Sequence, residues 1–401
     1  MKIGIVTNLY PPFQRGGAEY VVVRTVEALL DAGHEVFVIT GMPKNPVSDL
    51  STYVSTQERV YRFHPRNIYF ILQDNRYWWP VRLLWHIIDA FCTCGGNEVG
   101  QIIQSEKPDI VITHNLKGIG IRIPQFIQKE NIPHVHVAHD LQLIYPSGLL
   151  LAGEENITFY TKPFYAVYRK VCKWAFGKPD LVIFPSKFLQ DAYQKYGFFK
   201  DSKIEMIPNP APKFDLVEKS ERSQGSLRLL FVGQLEDHKG IKMLLSAFRK
   251  FNIDSQLIIA GEGTELPYIK KHIKDDKRIT YLGYISVEQL VNCLEIADAL
   301  VVPSLCYENS PTVIYEALQA GIPVLAADIG GVGELVENGK NGFLFKPGDE
   351  KDLIGAMKQM NDQKDRFGKM REEIKKSVAP YKLETYTNRL MEKLKEVIAQ
   401  K

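Results

Sequence analysis

The chain has 401 residues, of which 45% are hydrophobic and 24% are charged, as in ordinary globular proteins. At about 150 residues per domain, this length suggests two or three domains. The 50 basic and 47 acidic residues leave a net charge of +3, which excludes a strong global attraction to nucleic acid or to an anionic membrane. Any anionic ligand must therefore be held by local geometry.

The N-terminal region gives no sign of export. Its apolar run is too short for a signal peptide, and no stretch of 18 apolar residues occurs. The five cysteines are odd in number and widely spread, which does not suggest a disulfide framework. Cys92 and Cys94 form a Cys-x-Cys pair, but no second pair nearby completes a zinc site, so ordinary buried thiols are favoured. We expect a cytoplasmic protein.

Apolar runs alternate with helix-length segments through the first half of the chain. Apolar residues recur at helical spacing from Ala18 to Leu30, and Gly33 closes that helix. Strands separated by helices predict a parallel sheet that is covered on both faces. The predicted strands are residues 2–7, 35–40, 109–114, 134–139 and 180–186.

A Pro-containing, charged segment at 208–226 predicts a linker, after which the alternation begins again. Ser286 and Gln289 form a capping box for a helix in this half. The fold class predicted is α/β, with two Rossmann-like, doubly wound parallel-sheet domains that bind ligands in the cleft between them. We place the domains at 1–208 and 209–380, with an amphipathic helix at 381–401 that packs on its own domain or returns to the first. The second set of strands is 227–233, 256–261, 279–284, 299–304 and 322–328.

The stretch from Pro303 to Gly348 contains the most informative pattern of residues. Pro311 suits the first turn of a helix, whose free amides at Thr312 and Val313 would form an anion site. Glu308 precedes that helix and Glu316 lies about one turn inside it. Carboxylates at these places can accept hydrogen bonds from vicinal hydroxyls, Glu316 from a ribose and Glu308 from a sugar. The spacing becomes specific because Ala-Leu-x-Ala-Gly-x-Pro-Val and a Gly-Gly pair follow it.

With three further segments, this stretch resembles the retaining, nucleotide-sugar-dependent glycosyltransferases of group 1, family 4, which have the GT-B fold of two Rossmann-like domains. A Gly-Gly loop follows the first strand at Gly16-Gly17, and VGQLEDHKG at 232–240 opens the second domain. A Gly-x-Gly turn occurs at Gly261 and Gly263. The resemblance covers nearly the whole chain.

The resemblance implies roles for individual residues at the donor site. Glu316 would bind the nucleotide ribose, Glu308 the donor sugar, and Lys239 would neutralise the diphosphate leaving group. Backbone amides at Gly16 and Gly17 would approach the same diphosphate. No metal or cofactor is implied, and the sequence contains no Asp-x-Asp. The other donor-binding residues implied are Gln234, Gly261, Gly263, Tyr284 beside the base, Ser310, Thr312 and Val313.

Three histidines lie at or after the strand predicted at 134–139. The family places a histidine near the donor sugar after this strand, which implies that His139 orients the sugar or the acceptor. His134 and His136 share one face of the strand, because side chains alternate. For all three, the alternative is a hydrogen-bonded histidine without a functional role.

Two residues depart from the family pattern. Gln234 stands where the family usually has arginine, so one cation facing the diphosphate is missing, since glutamine donates hydrogen bonds but carries no charge. Pro210 stands where glycine is common and stiffens the hinge. Donor affinity is then lower, or another cation such as Arg15 takes the place of the arginine.

Aromatic residues of the first half are candidates for binding the acceptor. Trp78, Trp79 and Trp85 lie within RYWWPVRLLWHIIDAF, and Trp174 lies beside several basic residues within 165–178. Aromatic and basic residues together suit a membrane interface or a lipid-linked sugar. The alternative for both segments is ordinary helix packing.

The sequence thus predicts a metal-independent retaining glycosyltransferase that moves a sugar from a UDP- or GDP-sugar to a glycan or lipid-linked acceptor. We expect it in the cytoplasm, with possible peripheral contact at the inner membrane face and no nucleic-acid partner. One alternative is another enzyme on the same fold, such as a nucleotide-sugar 2-epimerase or a phosphorylase. A non-catalytic nucleotide-sugar-binding protein is another. An NAD-dependent dehydrogenase is disfavoured because no Gly-x-Gly-x-x-Gly follows the first strand.

Overall fold

A computed structural model describes residues 1–45, 58–155, 162–212, 225–274 and 276–401. The chain forms two compact units. The first comprises Met1–Leu149, Ile157–Pro210 and Leu383–Lys401, and the second comprises Leu150–Asn156 and Ala211–Lys382. Most of the predicted linker, residues 213–224, lies outside the described residues.

Each unit is built on one parallel sheet. The first sheet has the order β3-β2-β1-β4-β5-β6-β7, and the second has the order β10-β9-β8-β11-β12-β13. In the first, Lys2 lies opposite Glu35 and Thr7 opposite Thr40. The strands of the first sheet are β1 (Lys2–Thr7), β2 (Glu35–Gly41), β3 (Arg59–Phe63), β4 (Ile110–Thr113), β5 (His134–Val137), β6 (Leu181–Phe184) and β7 (Lys203–Met206). Those of the second are β8 (Leu227–Val232), β9 (Ser255–Ala260), β10 (Ile279–Gly283), β11 (Ala299–Val302), β12 (Val324–Ala327) and β13 (Gly342–Phe345).

Helices connect most of the strands, and their buried apolar residues belong to the core of each unit. None of the described helices is both long and apolar enough to span a bilayer. The first unit contains α1 (Gly17–Asp31), α2 (Trp79–Phe91), α3 (Cys94–Glu106), α4 (Ile123–Lys129), α5 (Lys162–Phe176) and α6 (Lys187–Lys195). The second contains α7 (Ile241–Lys250), α8 (Leu266–Ile273), α9 (Val287–Ile296), α10 (Thr312–Gln319), α11 (Glu350–Asp362), α12 (Lys364–Lys369) and α13 (Arg371–Ser377), and the last helix is α14 (Leu383–Ile398).

The predicted fold class, two doubly wound α/β domains, is confirmed by this topology. In both sheets the chain reverses its direction of winding beside the first strand, between β1 and β4 and between β8 and β11. Loops at the carboxyl ends of those strands diverge to opposite faces and leave a crevice, which is where doubly wound sheets bind ligands. The topology therefore places the loops after β1, β4, β8 and β11 where a site is expected.

The C-terminal helix α14 belongs to the first unit, one of the two places that the sequence left open for it. It packs on α1, and its buried Tyr386 hydroxyl lies 2.9 Å from Thr25 Oγ1. The sequence placed the domain boundary at 208/209, two residues before the division between the units at 210/211. It did not predict that Leu150–Asn156 belongs to the second unit.

Candidate functional site

A close approach of two loops organises the second unit's candidate site. Gly240 follows Lys239 with a φ of 72°, and a Cβ on it would lie 1.8 Å from the carbonyl oxygen of Pro303. Only glycine fits this backbone, so the loop after β8 touches the end of β11. The amide of Leu305 donates to the carbonyl of His238 at 2.8 Å and joins the two loops.

This approach brings Lys239 and Glu308, two residues that the sequence singled out, into direct contact. Lys239 Nζ lies 2.5 Å from Glu308 Oε1, and Ser304 Oγ donates to the same oxygen at 2.9 Å. The amide of Gly331 donates to the Glu308 carbonyl at 2.8 Å, and a Cβ on Gly330 would lie 2.1 Å from that oxygen. The Gly-Gly pair of the sequence motif therefore supports the loop that carries Glu308.

The ion pair keeps both of its members charged. Burial opposes the charge on Glu308, but the nearby Lys239 ammonium and the hydrogen bonds from Lys239 and Ser304 outweigh it and lower the pKa of this carboxyl. Burial likewise opposes the charge on Lys239, yet the Glu308 carboxylate raises the pKa of its ammonium. The pair thus offers a fixed cation and a fixed carboxylate at the carboxyl ends of β8 and β11.

A segment far away in sequence covers the loop that carries Glu308. Leu151 pairs with Cys306 in an antiparallel bridge, and the amides of Ala152 and Tyr307 donate to the carbonyls of Leu305 and Leu150, each at 2.8 Å. Tyr307 also donates its hydroxyl hydrogen to Glu155 at 2.5 Å. Sequence patterns gave no signal for this strap, because its contacts join positions some 150 residues apart.

The other predicted residues of the second unit occupy the same group of loops. Helix α10 begins at Thr312, one residue after Pro311, so Thr312 and Val313 are in its first turn and Glu316 lies half-buried one turn further on. Ser310 Oγ lies 2.6 Å from the Tyr315 hydroxyl. Four predicted residues remain. Gln234 directly follows Gly233 in the loop after β8, the amide of Gly261 donates to the carbonyl of Gly283 at 2.8 Å, and Gly263 packs against the Leu235 backbone. Tyr284 follows β10 and is exposed.

In the first unit, the backbone amide of Gly16, which was predicted to face the diphosphate, already has a hydrogen-bond partner. Gly16 caps α1, and its amide donates to Glu19 Oε2 at 2.8 Å. A diphosphate that approached this amide would compete with the Glu19 carboxylate for it, so Gly16 stays a predicted donor contact, and Gly17 lies in the first turn of the helix. Burial raises the pKa of Glu19, although hydrogen bonds from the Gly16 and Arg15 amides oppose this effect. Sequence reasoning missed Glu19 because glycine lacks the side chain of a capping-box signature.

His139 is buried at the carboxyl edge of the first sheet, beside a histidine that sequence reasoning did not single out. His114 follows β4, and its Nδ1 lies 2.8 Å from His139 Nε2. Burial lowers the pKa of His139 to about 4 and that of His114 well below its usual value, so both rings are neutral at pH 7. His114 Nε2 is buried and has no hydrogen-bond partner among the described residues.

His134 and His136 instead have structural partners inside the sheet. Both face Thr113 Oγ1, at 2.8 Å and 3.0 Å. Burial lowers the pKa of both rings, to about 3 for His134, so they remain neutral. These contacts agree with the alternative of hydrogen-bonded strand histidines.

The three tryptophans around α2 occupy different environments. Trp78 and Trp79 are exposed at the start of the helix, whereas Trp85 is 1% exposed and donates its indole hydrogen to the carbonyl of Tyr69 at 2.8 Å. Trp85 also stacks on the Tyr69 ring. The prediction that Trp85 contacts an acceptor is therefore corrected, because its ring is enclosed by its own unit.

Comparisons with known proteins match both halves of the chain. Residues 15–212 match the model described as Glycosyltransferase Family 4, and residues 213–378 match that described as Glycosyl transferases group 1. An uncharacterized 42.6 kDa protein in the cps region of Klebsiella pneumoniae is 28% identical over 341 residues, which cover 84% of this chain and 87% of that protein. A glycogen synthase of Mycobacterium tuberculosis is 28% identical over 378 residues, covering 90% of this chain and 86% of that one.

Solved structures share the architecture. The crystal structure of Anabaena Alr3699/HepE in complex with UDP aligns with a TM-score of 0.72 over 99% of this chain and 100% of that chain, at 19% identity. At this identity the likeness establishes the fold. It agrees with the two parallel sheets described above.

Proposed function

This chain belongs to the group 1 glycosyltransferases of family 4, and we propose that it moves a sugar from a nucleoside diphosphate sugar to a glycan or lipid-linked acceptor with retention of the anomeric configuration. The observation that carries the proposal is the Lys239–Glu308 pair, 2.5 Å apart where the loops after β8 and β11 meet. Transfer places negative charge on the diphosphate as the glycosidic bond breaks, and a fixed cation stabilises that charge.

The pair suggests how the donor enters the site. Without donor, Glu308 neutralises Lys239; a diphosphate would take over Lys239 and release the Glu308 carboxylate to accept hydrogen bonds from sugar hydroxyls. When the donor binds, the contact between Lys239 and Glu308 is therefore replaced by two others, Lys239 with the diphosphate and Glu308 with the sugar hydroxyls, so neither charged side chain is left without a partner. Because Lys239 supplies the positive charge, we propose that no metal is required.

The remaining donor contacts are proposed from the residues grouped around this pair. Glu316 would bind the ribose hydroxyls, and the first-turn amides at Thr312 and Val313 would face phosphate oxygens, as at other helix N-termini. Gln234 would donate a hydrogen bond to the diphosphate. Further donor contacts are assigned to Gly16, Gly17, Gly261, Gly263, Ser310 and the exposed Tyr284 beside the base. The UDP bound to HepE supports a uridine donor as the first to test.

On the first unit, we propose that His139 orients the transferred sugar or the acceptor. Its ring is neutral, since burial lowers its pKa to about 4, and a neutral imidazole both donates and accepts a hydrogen bond. His114 fixes one of its nitrogens. We place the reaction in the cytoplasm, at the inner membrane face when the acceptor is lipid-linked.

Nuclear magnetic resonance of the donor separates transfer from epimerisation. Given UDP- or GDP-hexoses with water as the acceptor, the enzyme should break the bond between C1 and the diphosphate and form a bond from C1 to the water oxygen, so that nucleoside diphosphate is released and the first-formed hexose anomer is that of the donor. Lys239→Met should lower that rate about 10²–10³-fold, because a fixed stabiliser of the leaving charge is lost. Lys242→Met, whose lysine pairs with Asp237 and Glu265, is the matched control. Conversion of the sugar while it stays on the diphosphate would overturn the proposal, as would equal rates in Lys239→Met and wild type.

A further inference from the structure

Helix α2 of the first unit carries apolar residues on two opposite sides. The apolar side chains of Trp85 and Ala90 are buried on one side, together with Asp89. Leu84, Ile87 and Phe91 recur three and four residues apart on the other side, and all three are exposed. A helix on the surface of a globular protein normally turns polar residues to solvent. The solvent-facing side of α2 therefore lacks the composition that water favours.

Helix α5 extends this apolar surface. Phe164, Val167 and Trp174 are exposed along it, and the Phe91 and Trp174 ring centroids lie 6.0 Å apart. Eight of the seventeen large apolar side chains that are exposed in the described residues lie on these two helices or at the N-cap of α2. We call these eight the α2–α5 face: Trp78, Trp79, Leu84, Ile87, Phe91, Phe164, Val167 and Trp174. Clustered exposed apolar residues mark an interaction site.

The charged residues within α5 all have one sign. Helix α5 reads KPFYAVYRKVCKWAF and contains four basic residues and no acidic one. Lys162 and Lys170 are exposed, and the Arg122 guanidinium lies 4.9 Å from the centre of the Trp174 ring. The acidic residue of α2, Asp89, is buried and receives a hydrogen bond from the Gly118 amide. Among the described residues of α2 and α5, the exposed aromatic rings are thus accompanied by basic side chains and by no exposed acidic one.

We propose that the α2–α5 face binds the surface of an anionic lipid bilayer. Tryptophan and phenylalanine partition into the headgroup region, and lysines beside them are attracted to anionic lipids. With a net charge of only +3, the whole chain has no strong field, so this attraction is local to the face. The choice of a lipid-linked acceptor rests on the proposed function. A glycosyltransferase held at the bilayer surface would meet such an acceptor there.

Flotation with vesicles tests the binding without catalysis. We expect the full chain to float with phosphatidylcholine vesicles that contain phosphatidylglycerol, less so at high salt, and weakly with phosphatidylcholine alone. Phe91→Ser combined with Trp174→Ser should weaken binding tenfold or more, about 1.4 kcal/mol. Lys162→Glu with Lys170→Glu should remove the preference for anionic lipid. The matched controls lie in the second unit: Val287→Ser with Ile296→Ser, and Lys270→Glu with Lys271→Glu, all at exposed positions.

Tryptophan fluorescence gives a second measurement, because quenching by lipid shows directly which side chains enter the bilayer. The chain has four tryptophans, of which Trp174 belongs to the α2–α5 face and Trp85 is buried. In single-tryptophan variants, vesicles of brominated lipid should quench Trp174 and leave Trp85 unchanged. The same variants should still bind UDP, so failure at the membrane is distinguishable from failure of the proposed function.

Three results would overturn the proposal. They are absence of flotation with anionic vesicles at low salt, equal flotation of Phe91→Ser/Trp174→Ser and wild type, and equal quenching of Trp85 and Trp174. A concentration-dependent dimer that Phe91→Ser/Trp174→Ser abolishes, in a protein that binds no vesicles, would assign the face to a second copy instead.

Discussion

Replacing Lys239 by methionine tests the ion pair at the centre of the candidate site. The change keeps an unbranched side chain that is one atom shorter and removes its charge, which leaves Glu308 with the hydrogen bonds from Ser304 and the Cys306 thiol. At 2.5 Å and an effective dielectric constant of about 20, the Coulomb attraction is about 7 kcal/mol, most of which desolvation offsets. Removing one partner of a fully buried ion pair lowers the free energy of unfolding by about 3–5 kcal/mol. Because the side chains of Lys239 and Glu308 are 26% and 15% exposed, we expect a loss of about 2 kcal/mol.

Differential scanning calorimetry measures this loss. For a unit of this size, each kcal/mol shifts the melting temperature by about 2–4 °C, so the second unit should melt about 4–8 °C lower in Lys239→Met. Adding Glu308→Gln should restore much of the difference, because no buried charge remains unpaired. Lys242→Met is the control: this lysine is 38% exposed, and its ion pairs should contribute less than about 1 kcal/mol.

The stability difference should also depend on pH. The pKa of Glu308 is lowered from 4.5 in the folded chain, so its contribution is present above about pH 4.5 and is lost as the pH falls through the lowered value. The pKa of Lys239 is raised from 10.5, so its contribution is present below about pH 10.5 and is lost above the raised value. Equal melting of Lys239→Met and wild type at pH 7, or a deficit that Glu308→Gln leaves unchanged, would refute this reasoning.

Three further substitutions test other parts of the two units. In thermal melting, Gly240→Ala should destabilise the second unit by more than the roughly 1–2 kcal/mol that a left-handed backbone costs a residue with a Cβ, because this Cβ would clash with Pro303. The same variant should no longer bind nucleotide. Gly339→Ala is the control: Gly339 has a similar φ of 74° but no atom within 4 Å of the added Cβ, so only the backbone contribution should be lost. Gln234→Arg should preserve or improve nucleotide affinity in calorimetry, and a clear loss would show that Gln234 has another role. His114→Ala should lower kcat more than it raises KM and destabilise by about 1–3 kcal/mol, because the buried contact between His114 and His139 is lost. His114→Asn should recover part of both effects, and unchanged kinetics in His114→Ala would contradict its positioning role.

Central strands were predictable from the sequence because both of their faces and both of their edges are covered. Strands such as β1 and β11 therefore read as continuous apolar runs. Strands β3 and β7 lie at the two edges of the first sheet and read RVYRF and KIEM, with charged residues inside the strand. Pairing on one side only allows this composition, so the apolar criterion missed both. The edge strand β13 was also not predicted, although its sequence GFLF is apolar.

The candidate site was predictable where one loop carries a motif, and less so where two segments meet. Glu308 and Lys239 followed from motifs, but their contact depends on Gly240 lying against Pro303, 63 residues further along the chain. His114 was missed because its partner His139 lies in another loop. The helical spacing around Trp85 could not show which side of α2 faces the core, because that helix is apolar on both sides.

A thermal-shift panel of UDP, GDP, ADP and their sugars tests the central claim most directly, namely that the second unit binds a nucleoside diphosphate sugar through Glu316 and the Lys239 loop. At a hundred times its dissociation constant, a ligand stabilises the folded state by about 2.7 kcal/mol, which predicts a rise of about 5–11 °C for that unit. We expect at least one nucleotide to produce this rise in wild type and Glu316→Ala to lose it. Absence of any shift in wild type, together with Glu316→Ala behaving identically, would contradict the account.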